Sequence, residues 1–166
     1  MRSDLMNAYY RKLRMIYCSE LQLVSLFPEL ASQIDDFKRT SALHGFLRLT
    51  RERRDVIEMI ATEHGISSAG DDCDSMRRLI SEGRQLLWHC SRGQSRDSIV
   101  AQVCLSVHRL LVMNYSMTRN LAVRLGLGSD ADRFEELIDL IVERFPEACD
   151  HPAPTSDFGA RALAHH

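Results

Sequence analysis

The chain is predicted to be all-α, with four long helices and one short one, and three observations carry that prediction. Apolar residues recur at spacings of three and four along almost the whole sequence, while the alternation expected of a half-buried strand is nearly absent. The periodic stretches end at glycine, at proline or in clusters of Ser, Gly and Asp, which stop helices and build turns. The first, second and fourth stretches match in length, as elements sharing one continuous core must.

The first helix is expected from about Asp4 to Ile34, with Leu13, Ile16, Tyr17, Val24, Phe27 and Ala31 on one stripe. Asp35-Asp36 supplies the acidic residues favoured at the start of the second helix. That helix carries Phe37, Leu43, Phe46, Leu47, Leu49, Val56, Ile57 and Ile60 and stops near His64-Gly65. The connection is short, so these two form an antiparallel hairpin. Ile66 to Asp72 is a loop, followed by a short helix with Met76, Leu79, Ile80, Leu86 and Leu87 that ends near Ser91-Arg92-Gly93. Too short to be a full bundle member, it is expected to connect the hairpins across one end. The fourth helix starts after Ser95 and keeps Val100, Val103, Val107, Leu111, Tyr115, Thr118 and Leu121 on one side until Leu125-Gly126. The fifth begins at the acidic cap Ser129-Asp130 and carries Phe134, Leu137, Ile138, Ile141 and Phe145, where Pro146 breaks it. Beyond it Pro152 and Pro154 interrupt a stretch without periodicity. The expected organisation is one bundle over 1–146 and a disordered tail over 147–166.

Composition narrows the partners. The 166 residues suit one domain that buries about two thirds of its unfolded surface. Lys+Arg 21 against Asp+Glu 23, interleaved, gives a net charge of -2 and no field that would gather nucleic acid or an anionic membrane. Cys18, Cys73, Cys90, Cys104 and Cys149 are odd in number and include no Cys-x-x-Cys, which points to reduced, buried thiols and not to a disulfide framework or zinc site. No apolar run approaches a membrane span, and the first ten residues carry Arg2 and Asp4 in a broken apolar pattern unlike a signal peptide, so a cytoplasmic protein is expected. Tyr9, Tyr10 and Leu23 on the first helix, with Val112 and Met113 on the fourth, exceed one seam and imply a homodimer.

Glu20 is the residue that does not belong. It sits on the apolar stripe of the first helix, where an unpaired ion costs several kcal/mol. It must be partnered, neutral, or part of a metal site.

In Cys73-x-x-Met76-x-x-Leu79-Ile80-x-Glu82-Gly83, Ser19-Glu20-Leu21-Gln22-Leu23, and Tyr115 with Leu121-Ala122 and Leu125-Gly126, the chain resembles the YciE/YciF-type ferritin-like family of stress-associated bacterial proteins. The resemblance covers about Tyr9 to Phe145. It implies a ferritin-like four-helix bundle with a short fifth connecting helix, a homodimer, and a di-iron or di-manganese site whose first ligand falls on Glu20. The other ligand positions that it implies fall on Leu49 and Arg53 in the second helix, on His108 and Leu111 in the fourth, and within Leu140-Ile141-Val142 in the fifth. Hard divalent ions want several oxygen ligands, which one Glu and one His do not supply.

Hairpin geometry offers another partner for Glu20. Facing positions in the first two helices should have numbers that sum to about seventy, which places Arg53 level with Glu20. Guanidinium can satisfy both carboxylate oxygens, so a buried Glu20–Arg53 pair in place of metal is expected, the other possibility being Arg53 turned to solvent with Glu20 protonated or water-bound. His44, His64, His89 and His108 read as ordinary helix histidines, and the run from Arg48 to Glu58 as a solvated face. The function expected is a non-enzymatic ferritin-like protein without cofactor, acting through self-association or partner binding. The alternative is an iron or manganese protein with a reduced site of Glu20, His108 and acids such as Glu52 or Glu136.

Overall fold

The computed structural model describes residues 1–144, so the expected tail over 147–166, Cys149 included, lies outside the described residues. Within them are five helices and no strand: α1 (Arg2–Ala31), α2 (Phe37–Glu63), α3 (Asp74–Trp88), α4 (Gln94–Leu125) and α5 (Gly128–Arg144). No helix among the described residues is long and apolar enough to cross a membrane.

Local chemistry sets the boundaries. Exposed Pro28 lacks the N–H that would bond one turn back, and α1 ends at Ala31, short of the expected Ile34. Ile34 is still buried, from the link and not from the helix. Asp36 caps α2 by accepting a hydrogen bond from the Arg39 N–H at 2.9 Å. At the far ends of α2 and α4, Gly65 (φ 68) and Gly126 (φ 76) take the left-handed conformation. This lets Ile66 N–H reach the Ala61 carbonyl at 3.0 Å and Leu127 N–H reach that of Ala122 at 2.9 Å.

The bundle is two hairpins joined by one long crossover. In the first, the facing pairs Tyr9–His64, Glu20–Arg53 and Phe27–Phe46 hold a constant register, each pair of numbers adding to 73. Tyr115 and Arg119 of α4 meet Phe134 and Glu135 of α5 in the second. Contacts from Arg2 to the Leu125 carbonyl and from Arg96 to Gln33 make α4 antiparallel to α1. Helix α4 must therefore start at the opposite end of the bundle from where α2 finishes, and α3 covers that distance. This is the single-crossover topology of ferritin-like bundles.

Helix α3 does not lie across the end of the bundle. It runs parallel to the second half of α1, with Cys18–Cys73 and Glu29–Arg84 both 55 residues apart, and antiparallel to the start of α4. It buries Met76, Ile80 and Leu87, and Arg96 of α4 donates to the carbonyls of Leu87 (3.1 Å) and Cys90 near its C-terminus. Part of the apolar surplus assigned to a dimer seam is taken up in the core of the single chain. Tyr9 and Leu23 are fully buried within one chain, Tyr10 and Val112 are half-buried, and Met113 is exposed.

Helices α3 and α4 pack closely at Gly83, where an added Cβ would stand 2.8 Å from Val103 Cγ2. Alanine gains about 1 kcal/mol of helix propensity over glycine, but overpacking costs roughly 1–3 kcal/mol, and a β-branched valine in a helix has no second rotamer to retreat to. Gly83→Ala should therefore destabilise the fold in denaturant unfolding. In a Val103→Ala background the same change should be neutral or stabilising.

Candidate functional site

The chemistry of the bundle is concentrated in one polar cluster at mid-core. Glu20 comes from α1, Thr50 and Arg53 from α2 and Tyr115 from α4, and each lies on the stripe that faces the bundle axis. Glu20, Thr50 and Tyr115 are fully buried and Arg53 is 4% exposed. Arg53 Nε donates to Glu20 Oε1 at 2.8 Å and Nη2 to Oε2 at 3.0 Å, a bidentate pair that uses both carboxylate oxygens. Nη2 also donates to Thr50 Oγ1 at 3.0 Å, and the Tyr115 hydroxyl donates to Glu20 Oε1 at 2.6 Å. Phe134 of α5 closes the site by packing edge-on against the Tyr115 ring, centroids 5.8 Å apart.

Electrostatics follow from this enclosure. Burial works against the charge on Arg53, but the Glu20 carboxylate and Tyr115 overcome it and hold the guanidinium above its ordinary pKa. Burial and the neighbouring Glu20 charge push the Tyr115 phenol well up, so it stays a donor at neutral pH. The cluster is closed and self-satisfied, with an acid, a base and two hydroxyls each committed to one another.

The Glu20–Arg53 pair expected from hairpin register is present, and two further members of the cluster, Thr50 and Tyr115, join it. Helix α2 buries Leu43, Phe46, Thr50, Arg53, Ile57 and Ile60, an unbroken spacing of three and four that selects Thr50. Leu49, assigned to the inward position, is half-buried on the flank, because its apolar side chain fits the core by type and not by phase. Tyr115 stood in the expected stripe of α4, and a buried phenol signals a partner for its hydroxyl. Leu111 faces inward as assigned. On α5 only Ile141 does, while Leu140 and Val142 are 40% and 49% exposed. His108 is half-buried, and burial together with Arg109 lowers its pKa. It lies seven residues before Tyr115, about 10 Å along the helix, too far to share a site with Glu20. Glu52 and Glu136 are exposed.

The donor set does not fit the di-metal centre of the ferritin-like pattern. One carboxylate is available, both its oxygens are taken, and a guanidinium occupies the space beside it. Among the described residues no group of three or more His, Cys, Asp and Glu is placed to hold a metal ion.

A second buried acid joins other helices. Asp130, in the first turn of α5, accepts from the Tyr9 hydroxyl at 2.8 Å and bonds His64 Nε2 at 2.6 Å, and Arg133 stands 3.9 Å away while also gripping Glu63. Asp130, expected as part of the acidic cap of this helix, is only 5% exposed. Its place on the stripe with Phe134, Leu137, Ile138 and Ile141 is the same signal that singled out Glu20. Burial, then the hydrogen bond to Asp130, raise the Tyr9 pKa.

Cys18 and Cys73 are joined by a disulfide, Cα atoms 5.8 Å apart, contrary to the reduced thiols expected. An odd cysteine count carries no information about which pairs meet in space.

Arg53→Ala should cost about 3–5 kcal/mol by stranding a buried carboxylate, and Glu20→Gln less, since the amide oxygen still accepts. Replacing the whole group, Glu20→Leu with Arg53→Met and Tyr115→Phe, should be near neutral because no buried donor or acceptor is left stranded, and urea denaturation reads all three variants. Tyr9 and Tyr115 bind their protons more tightly folded than unfolded, so they contribute stability that is full below their unfolded pKa of about 10 and is lost as pH rises above it. Tyr115→Phe should lower stability near neutrality yet show a shallower decline above about pH 10 than the parent chain.

No curated protein matches the sequence. Among solved structures the chain is similar to the E. coli stress protein YciF, with a TM-score of 0.81 and 20% identity over 87% of this chain and 91% of that one. It is also similar to YcfI from Rhodopseudomonas palustris, with a TM-score of 0.76 and 17% identity over 87% of this chain and 90% of the other. At these identities the likeness establishes a shared fold. The family model described as domain of unknown function DUF892 matches residues 4–139, which run from the first turn of α1 into the last turns of α5. The chain belongs to the DUF892 family.

Proposed function

We propose that this is a non-enzymatic ferritin-like protein with a stress-related role in the cytoplasm, acting through association with itself or a protein partner. One observation carries the reading. The carboxylate that a metal would need is neutralised by Arg53 and hydrogen-bonded by Tyr115, which supports a structural use of the site where a ferritin-like oxidase would place its metals. A divalent cation beside that guanidinium would face repulsion of several kcal/mol in this buried site. The similarity to a stress protein supports the role, and exposed apolar side chains support the mode of action. Met113 and Met117, one turn apart on α4, are 51% and 45% exposed, and Leu21 on α1 is 42% exposed. Methionine suits adaptable contact surfaces.

Elemental analysis of protein purified without chelator should find no stoichiometric iron or manganese, and stoichiometric metal would overturn the metal-free reading. Light scattering at micromolar concentration should give a dimer. A monomer there would remove self-association in favour of a separate partner.

A further inference from the structure

We propose that Cys18 and Cys73 form a thiol–disulfide exchange site, a reversible dithiol/disulfide pair that small thiols and small disulfides enter at the Cys18 sulfur. The two sulfurs stand in different surroundings. Cys18 is half-buried and lines a cavity of about 360 Å3 together with Tyr17, Gln22, Gly70 and Asp71. Cys73 is 2% exposed and outside that lining. An incoming thiolate therefore meets Cys18 first.

Cys73 is built to leave. It occupies the N-cap position of α3, a helix of 15 residues, where backbone N–H groups without helical partners and the helix dipole favour a thiolate. The Gln22 side-chain amide donates to Cys73 Sγ at 2.7 Å and lies 3.8 Å from Cys18 Sγ. In the reductive direction an external thiolate forms a bond to Cys18 Sγ, the bond between Cys18 and Cys73 breaks, and the electron pair goes to Cys73 as thiolate. A second external thiolate then attacks its fellow in the mixed disulfide. This releases the small disulfide, and Cys18 and Cys73 take up protons from water. The oxidative direction reverses each step with a small disulfide as oxidant.

The pair controls the crossover. Oxidised, it closes a loop of 55 residues and fixes the start of α3 to the middle of α1. Reduced, α3 is held by Met76, Ile80 and Leu87 and by the exposed Arg84–Glu29 contact at 2.7 Å. In a reducing compartment the state of the link then reports the balance between thiol and disulfide.

The test is a redox titration of the intact chain in buffers of reduced and oxidised glutathione, quenched by an alkylating reagent and read for each cysteine by mass spectrometry. Cys18 and Cys73 should pass together from alkylated to protected as the ratio becomes more oxidising, with buried Cys104 as internal reference. The Cys73→Ser variant should trap glutathione on Cys18, whereas Cys18→Ser should leave Cys73 without adduct. Gln22→Leu should slow reduction several-fold at unchanged folded helical content by circular dichroism. Two thiols that remain alkylatable throughout, a bond that yields to reductant only on unfolding, or an adduct on Cys73 in place of Cys18 would each overturn the proposal.

Discussion

A carboxylate held in the middle of an apolar core constrains everything around it. Glu20 is fully buried, and leaving it unpaired would cost several kcal/mol, so three elements must present the right groups at one level. Arg53 supplies two parallel N–H donors, Thr50 takes a further N–H of the guanidinium, and Tyr115 completes the carboxylate. Apolar seams tolerate small slips between antiparallel helices because one leucine packs much like another. A slip here would strand both a carboxylate and a guanidinium. The pair thus fixes register more than it raises stability, which matches the general finding that well-packed apolar side chains can replace a buried ion pair without loss.

Asp130 repeats the same arrangement with other residues. Each buried acid faces a basic side chain from α2 or its C-cap, Arg53 for Glu20 and His64 for Asp130, and each accepts from a buried tyrosine. The tyrosines come from different helices, Tyr115 from α4 and Tyr9 from α1. The two clusters stand eleven residues apart along α1, roughly 16 Å, so one lies at mid-core and the other toward the end where α2 finishes and α5 begins. Together they tie all four bundle helices: α1, α2 and α4 at the first, and α1, α2 and α5 at the second. The apolar side chains between them fill space, while the polar clusters decide which side chain meets which.

Much of this was legible in the residues. Helical spacing located every element to within a few residues, and the one charge on an apolar stripe pointed to the core pair. Arg53 was found because hairpin register is simple arithmetic along two antiparallel helices. The resemblance places the inward position on Leu49, one residue before Thr50, although the three-and-four spacing of the buried residues is unbroken only through Thr50. Asp130 was hidden by its place at a helix start, where an acid has a sufficient local reason to be. The disulfide could not be read, since Cys18 and Cys73 are brought together by the crossover and nothing in their spacing records its path.

The hairpin register has a consequence in time as well as in space. Both ions of the mid-core pair, with Thr50, belong to α1 and α2, whose contacts are local in sequence, whereas Tyr115 lies 95 residues from Glu20. Local contacts form sooner than distant ones, and the α1–α2 hairpin leaves a ribosome before α4 does. Charge neutralisation therefore needs only the first half of the chain. By the time α4 arrives, it meets a surface on which the carboxylate and guanidinium are already matched, and has a single hydroxyl to add.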